Sequence, residues 1–209
     1  MGTIAPDPPP MIANPANLSA QDYLDQEAHS PTKHEYRQGY AYAMAGASDA
    51  HVTIAGNLFA ILRNHLRLRG CRVYISDMKA RIEAADCYYY PDVMVTCDPR
   101  DLMTDTYKRF PRLIVEVLSP STANFDRGDK FADYQTLDSL QEYVLINSHR
   151  ARVECFRRTE GGLWLFQSYA PTPDPARAVP VDLQSVDLQV SCEALYEDVV
   201  FAAQEPDLN

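Results

Sequence analysis

The run Leu-Ile-Val-Glu-Val-Leu at positions 113–118 constrains this chain more than any other stretch. It is apolar, rich in β-formers and bounded by Pro111 and Pro120, which predicts a buried central strand. Glu116 sits inside it. A carboxylate among Val115, Val117 and Leu118 is costly to bury unless it is paired or binds a metal. Upstream, Tyr-Pro-Asp-Val-Met-Val at 90–95 repeats the pattern, with Asp92 at the mouth of an apolar strand. Downstream, residues 126–136 read as a helix carrying Lys130. Two strand carboxylates and a nearby lysine are the parts that metal-assisted phosphodiester hydrolysis requires.

The flanking sequence supplies helices and further strands. Residues 1–17 hold Pro6, Pro8, Pro9, Pro10 and Pro15 and little that packs, so a disordered arm is expected. Ser19 caps a short helix. Residues 34–44 suggest an edge hairpin around Gln38-Gly39. Ser48 opens a long helix reaching Gly70, with Ile54, Ala55, Leu58, Ile61, Leu62 and Leu66 on one stripe. Residues 72–82 and 88–97 read as two strands, and 98–109 as a polar surface loop. Three antiparallel strands follow near 143–146, 152–156 and 163–169. A proline-rich loop at 170–180 precedes a last short helix capped by Ser191. These elements predict an α/β fold on one mixed sheet flanked by helices, with added antiparallel C-terminal strands. One domain is expected over 18–200, with a tail at 201–209.

No apolar stretch is long enough for a membrane span, and the N-terminus has neither the basic start nor the apolar core of a secretory signal. Cys71, Cys87, Cys97, Cys155 and Cys192 are scattered, with no Cys-x-x-Cys spacing. That argues against zinc and a disulfide framework, and predicts reduced thiols in the cytoplasm. The net charge of −10 runs against a nucleic-acid partner. Two local arginine clusters run the other way: Arg63, Arg67, Arg69 and Arg72, then Arg150, Arg152, Arg157 and Arg158. They read equally as solvated faces.

Asp92 and Glu116 are 24 residues apart, room for a strand, a loop and the next strand. Hard oxygen ligands of this kind suit Mg²⁺ or Mn²⁺. The other reading has Asp92 capping a turn after Pro91 and Glu116 paired with an arginine. Pro91-Asp92 followed by Glu116-Val117-Leu118 resembles the Pro-Asp…(Asp/Glu)-x-Lys signature of the restriction-endonuclease-like nucleases. More closely, the chain resembles the Uma-type restriction-endonuclease family. The phrases that carry this are His34-Glu35-Tyr36, the stretch from Met44 to His51, Tyr90-Pro91-Asp92-Val93, Glu116 to Thr122, and Asp126 to Tyr134.

The resemblance implies a restriction-endonuclease-like fold and a Mg²⁺- or Mn²⁺-dependent DNA endonuclease. Asp92 and Glu116 would bind the metal with the Val117 carbonyl. Where the signature has lysine this chain has Leu118, and the resemblance moves the lysine role to Lys130. The other reading of Lys130 is an i,i+4 ion pair with Asp126 on an exposed helix face. Lys79 is a second lysine candidate. Glu35 reads either as a third carboxylate or as a hairpin-fixing acceptor. His51 reads as a phosphate contact or as a hydrogen-bonded ring. Ser119 belongs to a turn lining the site, since no nucleophile elbow surrounds it. Tyr88, Tyr89 and Tyr90 could stack on bases, though strand packing accounts for them. A homodimer fits the need to cut two strands. Two rival classes stand beside the nuclease: a catalytically inactive DNA-binding or regulatory protein on the same fold, and an acidic interaction protein.

Overall fold

Alternation along the central strand sends its side chains to two faces, and the fold is built from what covers each. The structure is a computed structural model that describes residues 17–172, 174 and 177–201. In chain order its elements are α1 (Ala20–Glu27), β1 (His34–Arg37), β2 (Tyr40–Ala43), α2 (Asp49–His65), β3 (Arg72–Ile75), β4 (Lys79–Ile82), β5 (Cys87–Tyr89), β6 (Val93–Thr96), β7 (Tyr107–Lys108), β8 (Pro111–Leu118), α3 (Ala123–Arg127), α4 (Asp129–Gln135), β9 (Glu142–Asn147), β10 (Val153–Arg158), β11 (Trp164–Tyr169), β12 (Val181–Leu183), β13 (Leu188–Val190) and α5 (Cys192–Leu195).

Strand β8 lies inside a six-stranded sheet of order β11-β10-β9-β8-β6-β3. It pairs parallel with β9 and antiparallel with β6. Leu113, Val115 and Val117 pack with Ile54, Ala55, Leu58 and Leu62, the apolar stripe of α2. Ile114 and Leu118 pack on the opposite face with Phe131 and Tyr134 of α4. Glu116 shares their parity and so points toward α4.

The strands expected over 72–82 and 88–97 each break in two. Ser76 adopts a positive φ of 52°, and Pro91 has no N–H for a ladder. Across the break Ser76 N–H donates to the Asp92 carbonyl at 3.1 Å. Below it β3 pairs with β6 in the six-stranded sheet. Above it β4 pairs with β5 in a second sheet of order β2-β1-β5-β4-β7. Among the described residues the single sheet expected from sequence is therefore two, plus the small β12–β13 hairpin, and Asp92 sits where the chain passes between the two large ones.

The β1–β2 hairpin turns through Gln38 (φ 49°) and Gly39 (φ 90°), the positive dihedrals that a two-residue turn requires. Helix α2 stops at His65, short of Gly70. The region expected as a loop at 98–109 contains a 3₁₀ turn and β7. The helix expected over 126–136 is split at Gly128, whose φ and ψ are −107° and −103°. A Cβ there would meet the Asn124 carbonyl at 3.1 Å. Cys71 and Cys97 face each other across β3 and β6 and form a disulfide, which corrects the expectation of reduced thiols at these two positions. Cys87, Cys155 and Cys192 are free and buried. The arm at 1–17 and the tail at 201–209 lie outside the described residues apart from Asn17 and Phe201.

Candidate active site

Four elements bring charge to one point. Glu116 comes from β8, Glu35 from β1, Asp126 from α3 and Lys130 from the first turn of α4. The Lys130 ammonium is buried, 3.0 Å from Glu116 Oε1, 3.0 Å from Glu35 Oε1 and 3.6 Å from Asp126 Oδ1. The i,i+4 pair with Asp126 is thus present, but on a buried face and as the longest of three contacts. Tyr89 places its ring under the ammonium, with the centroid at 5.2 Å. Tyr134 donates its hydroxyl to Glu116 Oε1 at 3.0 Å. Glu35 also accepts the Tyr90 N–H at 3.0 Å, so it fixes backbone and pairs with lysine at once.

Asp92 adjoins this cluster through the backbone. Its N–H points at Glu116 Oε2, 3.4 Å away, and its own Oδ2 accepts the Val117 N–H at 2.7 Å. The adjacent register explains that second bond. Val93 pairs with Val115 and the ladder ends there, before Pro91 could sit opposite Val117 and offer its carbonyl. The Asp92 side chain takes over as acceptor. Its Oδ1 lies 2.8 Å from His51 Nε2, in the first turn of α2. Ser48 caps that turn by accepting the His51 N–H at 3.3 Å.

Burial, the largest influence, raises the pKa of Glu116 well above the usual carboxylate range. Lys130 opposes the shift, while the charges of Asp126, Asp92 and Glu35 add to it. Asp126 is raised for the same first reason, again against Lys130. For Lys130 burial disfavours the charge, but Glu116, Glu35 and Asp126 outweigh it, and the ammonium holds its proton more tightly than an ordinary lysine.

Other sequence candidates fall elsewhere. Ser119 follows β8, and its hydroxyl is engaged by Ser121 at 3.1 Å and Thr122 at 2.9 Å, outside the ion-pair cluster. Lys79 donates to the Tyr90 hydroxyl at 3.1 Å. Tyr88, Tyr89 and Tyr90 are buried in packing. The second arginine cluster is largely used internally: Arg152 pairs with Glu154, Arg157 with the buried Glu142, and Arg158 donates to the Leu137 carbonyl. Arg63, Arg67, Arg69 and Arg72 are exposed, but they gather at and just past the far end of α2 from His51, ~20 Å away by helix rise. Sequence reasoning gave Tyr134 no role, although its spacing of four from Lys130 puts both on one helical face.

Fold and site together define a mixed α/β protein of the restriction-endonuclease-like class with a buried carboxylate–lysine centre. A family model, Uma2, described as "Putative restriction endonuclease", matches residues 20–191. The chain belongs to that family. Two proteins of Synechocystis sp. are similar to it. One is slr1290, 36% identical over 184 residues, which are 88% of this chain and 94% of that protein. The other is sll1609, 36% identical over 157 residues, 74% of this chain and 89% of that protein. The crystal structure of "a putative nuclease belonging to DUF820" from Anabaena variabilis shares the fold, with a TM-score of 0.67 at 15% identity, covering 86% of this chain and 98% of that one. Among the described residues no helix is long and apolar enough to cross a membrane.

Proposed function

We propose that this chain is a metal-dependent DNA endonuclease that hydrolyses phosphodiesters at Asp92, Glu116 and Lys130. The observation that carries this reading is the buried Lys130 ammonium, 3.0 Å from both Glu116 and Glu35, beside an Asp92 tied to the Glu116 strand. Leu118 offers no charge at the position where the signature has lysine, and Lys130 reaches Glu116 from α4, the second helix after β8.

The residues present fit a divalent ion. Three carboxylates (Glu35, Glu116 and Asp126) share one ammonium and Asp92 adjoins Glu116 through its backbone N–H, so carboxylates outnumber the cation in a poorly hydrated site. The donors are hard oxygens, suited to Mg²⁺ or Mn²⁺. Among the described residues no three His, Cys, Asp or Glu converge as a ready-made cage. Mg²⁺ does not demand one, since it binds through one or two carboxylates and keeps several waters. When bound at Asp92 and Glu116, such an ion supplies an activated water and neutralises charge on a phosphate.

The chain's own residues then have separate tasks. Lys130 presents a fixed positive charge to the phosphate as negative charge develops. Glu35 and Asp126 hold that ammonium in place. Tyr134 orients Glu116 by donating to one of its oxygens. On this reading the nuclease domain spans 18–200, acts in the cytoplasm and forms a two-fold dimer for cutting both strands. A catalytically inert protein on this fold is the competing reading, favoured by a Lys130 ammonium already engaged by three carboxylates of the chain itself.

Plasmid nicking separates the two. Relaxation of supercoiled DNA should require Mg²⁺ or Mn²⁺, stop in chelator, and vanish in Glu116→Gln and Asp92→Asn while circular dichroism stays native. Full nicking by both variants would place the chemistry elsewhere. No metal-dependent nicking by the unaltered chain would select the inert reading.

A further inference from the structure

We propose that His51 is a positioning residue that sets the plane of the Asp92 carboxylate for a divalent ion; this rests on the metal-dependent reading above. The two oxygens of Asp92 are held from different elements. Val117 N–H, fixed by β8, donates to Oδ2 at 2.7 Å, and His51 Nε2, carried by α2, lies 2.8 Å from Oδ1. A carboxylate's last torsion is broad, so a single anchor leaves its plane free to turn. Two anchors on opposite oxygens remove that freedom. Each oxygen keeps a second lone pair for a cation.

An ionised Asp92 only accepts, so the His51 proton sits on Nε2. The nitrogen that faces the site is thereby occupied, which separates this role from that of a general base. Both side chains are mostly buried, at 17% and 16% exposure, so water does not readily take over the bond. Ser48 secures the backbone from which the ring extends. Hydrogen-bond partners behind a metal ligand typically contribute 10–100-fold to metal affinity.

The test is Mn²⁺ titration by calorimetry on the purified chain and on H51F and H51Q, with thermal melts as the fold control. H51F keeps a ring without a donor. H51Q places an amide N–H near the position of Nε2. The expected result is Mn²⁺ binding weakened about 10–100-fold in H51F and largely restored in H51Q. Nicking by H51F should recover at saturating Mn²⁺, because the ring acts through Asp92 and touches no substrate. If H51F does not fold, H51N replaces it, since its shorter amide mimics Nδ1 and misses Asp92. Unchanged binding in H51F, or an H51Q no better than a folded H51F, overturns the proposal alone. Failure of the unaltered chain to bind Mn²⁺, or binding indifferent to Glu116→Gln, overturns the metal reading and this proposal with it.

Discussion

Replacing Lys130 with methionine nearly keeps the volume of the side chain while deleting the charged ammonium and its N–H donors. Glu35, Glu116 and Asp126 would then face one another with no cation among them. Breaking a buried ion pair by removing one partner costs ~3–5 kcal/mol. For a chain of this size that corresponds to a melting temperature lower by about 6–20 °C. The loss should depend on pH in a definite direction. Glu116 and Asp126 have folded pKa values raised above the unfolded ones. Such a carboxylate binds its proton more readily when folded, so its protonation favours the fold at low pH, and that contribution fades as pH rises through the folded pKa. Lys130 in the unaltered chain stays charged throughout, because its own pKa is raised. The deficit of K130M relative to the unaltered chain should therefore be largest at about pH 8 and shrink at about pH 5.5, where protons replace the missing ammonium. Paired circular-dichroism melts at the two pH values measure it. A variant that melts like the unaltered chain at the higher pH, or a deficit that grows on acidification, would refute the account of Lys130 as counter-charge to buried carboxylates.

Three further outcomes follow from the same geometry. Asp92→Ala should be less stable than Asp92→Asn by about 1–3 kcal/mol in urea unfolding, because only asparagine keeps an acceptor for the Val117 N–H. Lys79→Ala should leave metal-dependent nicking intact, since Lys79 contacts the Tyr90 hydroxyl and not the carboxylate cluster; a rate loss comparable to that of K130M would reassign the lysine role. Cys71→Ser should lower stability by about 3.5 kcal/mol in oxidising buffer, from the chain entropy of a closure spanning 26 residues, and by little in reducing buffer.

Elements with a local cause were legible before folding. Ser19, Ser48 and Ser191 each cap a helix where expected, because a cap is a bond between residues three apart. The central strand and the α2 stripe were legible because burial on a sheet or helix face repeats at a fixed period. Asp92, Glu116 and Lys130 stood out as charges in apolar or patterned surroundings. Less visible were features whose cause lies in a distant partner. The passage of two strands between sheets depends on Ser76 meeting Asp92 across the break. The Cys71–Cys97 bridge depends on the register of β3 against β6, which no cysteine spacing encodes.

The site divides in the same way. Sequence alone marked Glu116 as a carboxylate carried into the core by an apolar strand, and showed that Leu118 carries no charge. Tertiary structure decided that Lys130 answers Glu35 and Glu116 together, that Tyr134 donates to Glu116, and that His51 holds Asp92. Those contacts join residues 14 to 95 positions apart along the chain. Electrostatic and hydrogen-bond energies fall off over a few ångströms of space, and sequence separation says nothing about that distance until the sheets are assembled.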